Sequence, residues 1–102
     1  MSLEELSKML AKTPLPDLNS DTSELYVMEF CESCKVALQK LQDAGVEFDV
    51  VDLDKVGMKN VFAIWNHRLG RNPNLVPQFW YKGKYIGSSP SIDKFLKEKD
   101  VN

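Results

Sequence analysis

Cysteine is scarce: two residues in 102 cannot frame a disulfide-rich secreted scaffold. Long apolar runs are missing as well. No stretch approaches the roughly 20 residues a membrane helix needs, so no membrane partner is expected. Neither sign of charge dominates. Thirteen basic residues against fifteen acidic ones leave a net charge of -2, which argues against a nucleic-acid or anionic-membrane surface. The opening Met1-Ser2-Leu3-Glu4-Glu5 carries acid where a secretory signal carries base, so no such signal is expected and the location expected is cytoplasmic. What remains is ordinary globular material, 43% apolar and 27% charged, with room for one hydrophobic core.

Two divisions are expected, an N-terminal helical arm and linker over 1–23 and a folded domain over 24–102. In the arm, Ser2 and Glu5 have capping-box spacing and Leu3, Leu6 and Leu10 share one helical stripe. Pro14 and Pro16 end that helix. Leu25 to Phe30 is β-prone and runs straight into Cys31. Cys34, Ala37, Leu38 and Leu41 then recur at helical spacing, with Gly45 as the stop. Val46 to Leu53 reads as a second strand, parallel to the first because a helix crosses between them. Met58, Val61, Phe62, Trp65 and Leu69 line a second helix closed by Gly70. Val76–Tyr81 and Lys84–Gly87 flank Lys82-Gly83 as a hairpin. A final helix is expected with Ser89 as N-cap and Pro90 at its first position. The order is βαβ-α-ββ-α.

The chemistry concentrates at Cys31-Glu32-Ser33-Cys34. A thiol at a strand-to-helix junction meets free backbone amides and the positive end of the helix dipole, and both favour thiolate. A second thiol three residues on lies one turn along, close enough to attack a mixed disulfide. Cys31 is therefore the expected nucleophile and Cys34 the resolving thiol. Two other readings compete: inert core thiols, or half a zinc site completed by His67 or a second subunit. Glu32 sets a negative charge beside Cys31. It is expected to oppose thiolate formation and make the couple more reducing, or else simply to favour the helix dipole from an exposed first turn. Val76-Pro77 opens the hairpin, where a proline is either a backbone-geometry device or an ordinary strand start.

Phe30-Cys31-x-x-Cys34, Val76-Pro77 and Ile86-Gly87, in that order and spacing, resemble the glutaredoxin family from Leu25 to Lys97. Arg68-Leu69-Gly70-Arg71, Val76-Pro77-Gln78 and Tyr85-Ile86-Gly87 look most like the small glutaredoxins of T-even bacteriophages. The resemblance implies an α/β thioredoxin-like fold, a four-stranded mixed sheet flanked by helices, with the extra N-terminal helix added. It implies a cis Pro77, a dithiol mechanism and no tightly bound cofactor. Glutathione or a thioredoxin-type reductase would supply electrons, and clients would be disulfide-containing proteins such as ribonucleotide reductase. A glutaredoxin-like dimer holding an iron–sulfur cluster is a further reading, disfavoured by the resolving thiol.

Several family positions differ here. Met28 stands where the family commonly has lysine, Glu32-Ser33 replaces Pro-Tyr, Leu75 replaces threonine, and Ser88 replaces a glycine. The aspartate that would meet the glutathione amino group aligns near Ser89 to Ser91, with Asp93 the nearest acid. The glutathione contacts that remain are the Val76 backbone beside Pro77, Ser88 and Ser89 at the start of the last helix, and Arg68 or Arg71 as carboxylate partner.

Overall fold

A computed structural model describes residues 21–100; the expected arm helix, with Leu3, Leu6 and Leu10, lies outside them. The elements are β1 (Glu24–Val27), α1 (Glu32–Asp43), β2 (Asp49–Asp52), α2 (Leu53–Val56), α3 (Met58–Leu69), β3 (Gln78–Tyr81), β4 (Lys84–Gly87) and α4 (Ser89–Asp100). The sheet order is β2-β1-β3-β4. β1 runs parallel to β2 and antiparallel to β3, and β3 and β4 form the hairpin. This is the four-stranded mixed sheet of a thioredoxin-like fold.

Alternation along the strands sorts side chains onto two faces. Leu25, Val27, Val50 and Phe79 pack with Cys34, Ala37, Leu38 and Leu41 of α1 and Ile92 of α4. Tyr26, Val51 and Trp80 face the other way, against Leu53 of α2 and Val61 and Trp65 of α3. On that second face Tyr26 meets the Trp65 and Trp80 rings edge-on, with centroids 5.4 and 5.3 Å away. Such pairs add about 0.5–1.5 kcal/mol each beyond their burial.

Local chemistry explains the boundaries. α1 ends where Gly45 takes φ +74°. There Gly45 N–H donates to Gln42 C=O and Val46 N–H to Leu41 C=O, so the last carbonyls are satisfied. Because Val46 is engaged in closing the helix, the second strand starts at Asp49 rather than Val46. It also stops early. The Asp52 carboxylate accepts from the Asp54 amide at 2.9 Å and caps α2, a single turn that takes Leu53 out of the expected strand. β1 ends at Val27 rather than Phe30, because the Glu29 amide leaves the ladder and donates to Asp54 Oδ2 at 3.0 Å.

The hairpin turn matches its sequence signal, with Lys82 and Gly83 at φ +50° and +82°. Its first strand begins at Gln78, two residues later than expected. α4 already includes Ser89, so the cap falls on Ser88, whose carbonyl accepts from the Ile92 amide at 2.9 Å. Pro90 then occupies the second helical position, where the missing amide still costs no intrahelical bond. Among the described residues no helix is long and apolar enough to cross a membrane.

Candidate active site

Cys31 is the N-cap of α1, with extended backbone at φ -113° and ψ 108°. Its sulfur accepts the Cys34 amide at 3.2 Å, in the place an oxygen acceptor normally fills at a helix start. The geometry is dictated locally. A strand that ends before a helix leaves the first amides unpaired, and a sulfur at the cap turns back onto them. Both cysteines are free thiols; Cys31 is half-buried, and Cys34 is 2% exposed within the α1 face of the core. Burial pushes the Cys34 thiol up to about 12. Its hydrogen bond to Cys31 and the nearby Asp52 charge push the same way, while the Met28 backbone amide pulls against them. The pair is therefore asymmetric: one cysteine is half-buried at a helix cap, the other is a buried thiol behind it.

The rim of the pair mixes acid and apolar surface. Phe30 is 91% exposed directly before Cys31. Glu29, Glu32 and Asp54 are exposed, and Asp54 braces the loop through the Glu29 amide. Glu32 pairs with Lys35 at 3.6 Å, and its side chain is 89% exposed. Water and the lysine thus both damp the field it was expected to exert on Cys31. The Val76–Pro77 bond is cis, the isomer that the resemblance implies. Pro77 is buried, and Val76 is half-buried against the core cluster that holds Cys34. Among the described residues nothing hydrogen-bonds to the Val76 backbone.

The arginines separate. Arg68, a candidate carboxylate partner, meets a carboxylate of the chain itself. Its Nη1 lies 2.6 Å from Glu24 Oε1, with the two side chains 8% and 1% exposed. The same nitrogen donates to the Tyr26 hydroxyl at 3.2 Å, and the guanidinium lies 5.5 Å from the Trp80 ring centre. Burial, then the Glu24 charge, hold the Tyr26 phenol well above its usual range. This cluster belongs to the α3 face of the sheet, opposite the face that buries Cys34. Arg71 is exposed, with its guanidinium 5.9 Å from the Tyr85 ring. Ser88 and Ser89 stand half-buried at the start of α4.

Sequence reasoning missed Asp52 and Asp54. A signal existed: an aspartate two residues after Val50 in a strand faces the same side as that valine. His67 is exposed, and among the described residues no group of three or more His, Cys, Asp or Glu side chains could hold a metal.

The glutaredoxin family model matches residues 24–86, more than half of the chain. Comparison with curated proteins yields no match. Among solved structures, reduced glutaredoxin C1 of Populus tremula x tremuloides is 24% identical with a TM-score of 0.66, over 96% of this chain and 82% of that one. Buckwheat glutaredoxin in complex with glutathione is 20% identical with a TM-score of 0.67, over 99% of this chain and 90% of that one. Reduced Escherichia coli glutaredoxin is 18% identical with a TM-score of 0.58, over 78% of this chain and 98% of that one. At these identities the structures bear on the fold.

Proposed function

This chain belongs to the glutaredoxin family, and on that premise we propose that it is a dithiol thiol–disulfide oxidoreductase acting on protein disulfides or glutathione mixed disulfides. One observation carries the reading: the Cys31 sulfur caps α1 within 3.2 Å of the Cys34 amide while Cys34 stays buried as a thiol. Cys31 attacks one sulfur of a substrate disulfide, forming a mixed disulfide and releasing the first thiolate. Cys34 then attacks Cys31, closing the intramolecular disulfide and releasing the second. The attacking sulfur sits at the N-terminus of α1, where the Cys34 N–H donates to it at 3.2 Å. The free Val76 backbone offers a short β-bridge to the substrate chain beside Pro77.

Glutathione is the proposed electron donor. The family supports it, and so does the glutathione complex of the buckwheat structure. Val76, Pro77, Ser88, Ser89 and Arg71 are the contacts proposed for it, Arg71 being preferred to Arg68 because Arg68 is ion-paired with the buried Glu24. The finer likeness to phage glutaredoxins belongs to this proposal and rests on the Arg68–Arg71 and Tyr85–Gly87 segments. A second reading, a donor served by a flavoprotein reductase, is favoured by the internal pairing of Arg68 with Glu24. Both readings place the protein in a reducing cytoplasm, with disulfide-bearing clients.

The deciding experiment compares reduction of a peptide–glutathione mixed disulfide with reduction of a protein disulfide, each driven by glutathione and by a thioredoxin-type reductase. Faster turnover of the mixed disulfide with glutathione is the expected result. Turnover only with the reductase would establish the second reading. Cys34→Ser should trap the client on Cys31, visible by mass; no adduct would end the dithiol scheme.

A further inference from the structure

Cys34 has to lose a proton before it can attack, and burial holds that thiol up to about 12. At neutral pH a thiol so placed needs an acceptor at hand. Among the described residues one buried carboxylate lies on the correct face. Val50 packs on the α1 side of the sheet and Val51 on the α3 side. Alternation therefore returns Asp52 to the α1 side, at the strand end beside the helix turn that carries Cys34. Asp52 is 1% exposed, and its Oδ1 is fixed at 2.9 Å from the Asp54 amide. Its β1 neighbour in register is Val27, next to Met28, whose amide reaches the Cys34 sulfur.

We propose that Asp52 accepts the Cys34 proton in the resolving step, a role that rests on the dithiol reading above. In that step the Cys34 S–H gives its proton to the Asp52 carboxylate. The freed electron pair on Cys34 bonds to Cys31 Sγ. The bond from Cys31 to the substrate sulfur breaks, and its pair leaves on the substrate. The departing thiolate takes up a proton through solvent from Asp52. Over the whole cycle the dithiol loses two electrons and the substrate disulfide becomes two thiols.

The groups facing Asp52 come from three elements. Burial first, then the charges of Asp54 on α2 and Glu29 after β1, raise its carboxyl above the usual carboxylate range. The Asp54 amide and Lys55 of α2 pull it down, and Cys34 of α1 faces it from the third. A raised carboxylate is a stronger base, closer to the thiol it serves.

The test uses dithiobis-nitrobenzoate with the full chain. A first thionitrobenzoate is released when Cys31 attacks, and a second when Cys34 resolves the adduct. Asp52→Asn keeps an acceptor for the Asp54 amide and so keeps the α2 cap. The first release should match wild type, which also shows an intact site. The second should slow about 100-fold at pH 7 and climb tenfold per pH unit, having lost its plateau. Asp52→Glu should recover part of the rate. A second release within about 3-fold of wild type, with the same pH profile, overturns the role. If Asp52→Asn fails to fold, the wild-type profile still decides. The rate should level off far below pH 12, and a rate climbing log-linearly to pH 10 would refute an internal acceptor. Absence of the first release in wild type would instead sink the oxidoreductase reading itself.

Discussion

Arg68→Met removes the cation from a pair in which Glu24 Oε1 sits 2.6 Å from the guanidinium and the Glu24 side chain is 1% exposed. The carboxylate is then left buried with the Tyr26 and Thr22 hydroxyls as donors, each at 3.2 Å. Removing one partner of a buried pair costs about 3–5 kcal/mol, because the remaining charge is neither solvated nor paired. Against a total stability of about 5–15 kcal/mol, that loss is large. For a domain of this size it lowers Tm by at least about 12 °C. Urea unfolding at pH 7 measures it directly. Glu24→Gln in the Arg68→Met background neutralises the orphan and should restore about 1–3 kcal/mol. An Arg68→Met variant within about 1 kcal/mol of wild type, or a double variant no better than the single, would refute the argument. The experiment also separates two roles for one residue. Below its melting temperature Arg68→Met should leave KM for a glutathione mixed disulfide unchanged, whereas Arg71→Ala should raise it. A raised KM in Arg68→Met would return that arginine to the binding site.

Stability should carry the mark of Asp52. Its carboxyl is raised by burial, so the folded state favours the protonated form. That contribution is complete below the unfolded value of 3.8 and is lost as pH climbs through the raised folded value. Asp52→Asn should therefore be more stable than wild type at pH 7, with the gap closing towards pH 4 in paired urea titrations. A gap that is constant across that range would contradict the shift. Gly87 has φ +127°, and a β-carbon there would lie 2.8 Å from Ser91 Cβ and Oγ on the first turn of α4. Gly87→Ala should cost at least about 1–3 kcal/mol by combined backbone strain and overlap. A variant within about 0.5 kcal/mol of wild type would show that α4 moves aside freely.

Much of this molecule is legible from short-range rules. Helix stripes placed Ala37, Leu38, Leu41, Val61 and Trp65 in the core, and all five are buried, whereas Met58 of the same second-helix stripe is exposed. Gly45, Gly70 and the Lys82-Gly83 turn punctuate the chain where their positive φ angles are found. The asymmetry of the cysteine pair was readable too, because a cap sulfur and a thiol one turn later follow from spacing within four residues. Boundaries fared worse. The second strand shrank at both ends because Val46 closes α1 and Asp52 opens α2, two hydrogen-bond choices that hydrophobic pattern does not register.

Pairings across the chain were decided elsewhere. Arg68 and Glu24 are 44 residues apart. Nothing local distinguishes an arginine in the last turn of a helix that will ion-pair inside the fold from one that will meet a ligand. Only the crossing of α3 over β1 makes that choice, by bringing a buried carboxylate within reach. The same holds for Asp52, whose meaning appears once β2 lies parallel to β1 and its end meets the first turn of α1. Capping, periodicity and turn chemistry act over a few residues, so a sequence displays them. Burial and charge compensation depend on which distant segments share a face, and that is a property of the folded chain.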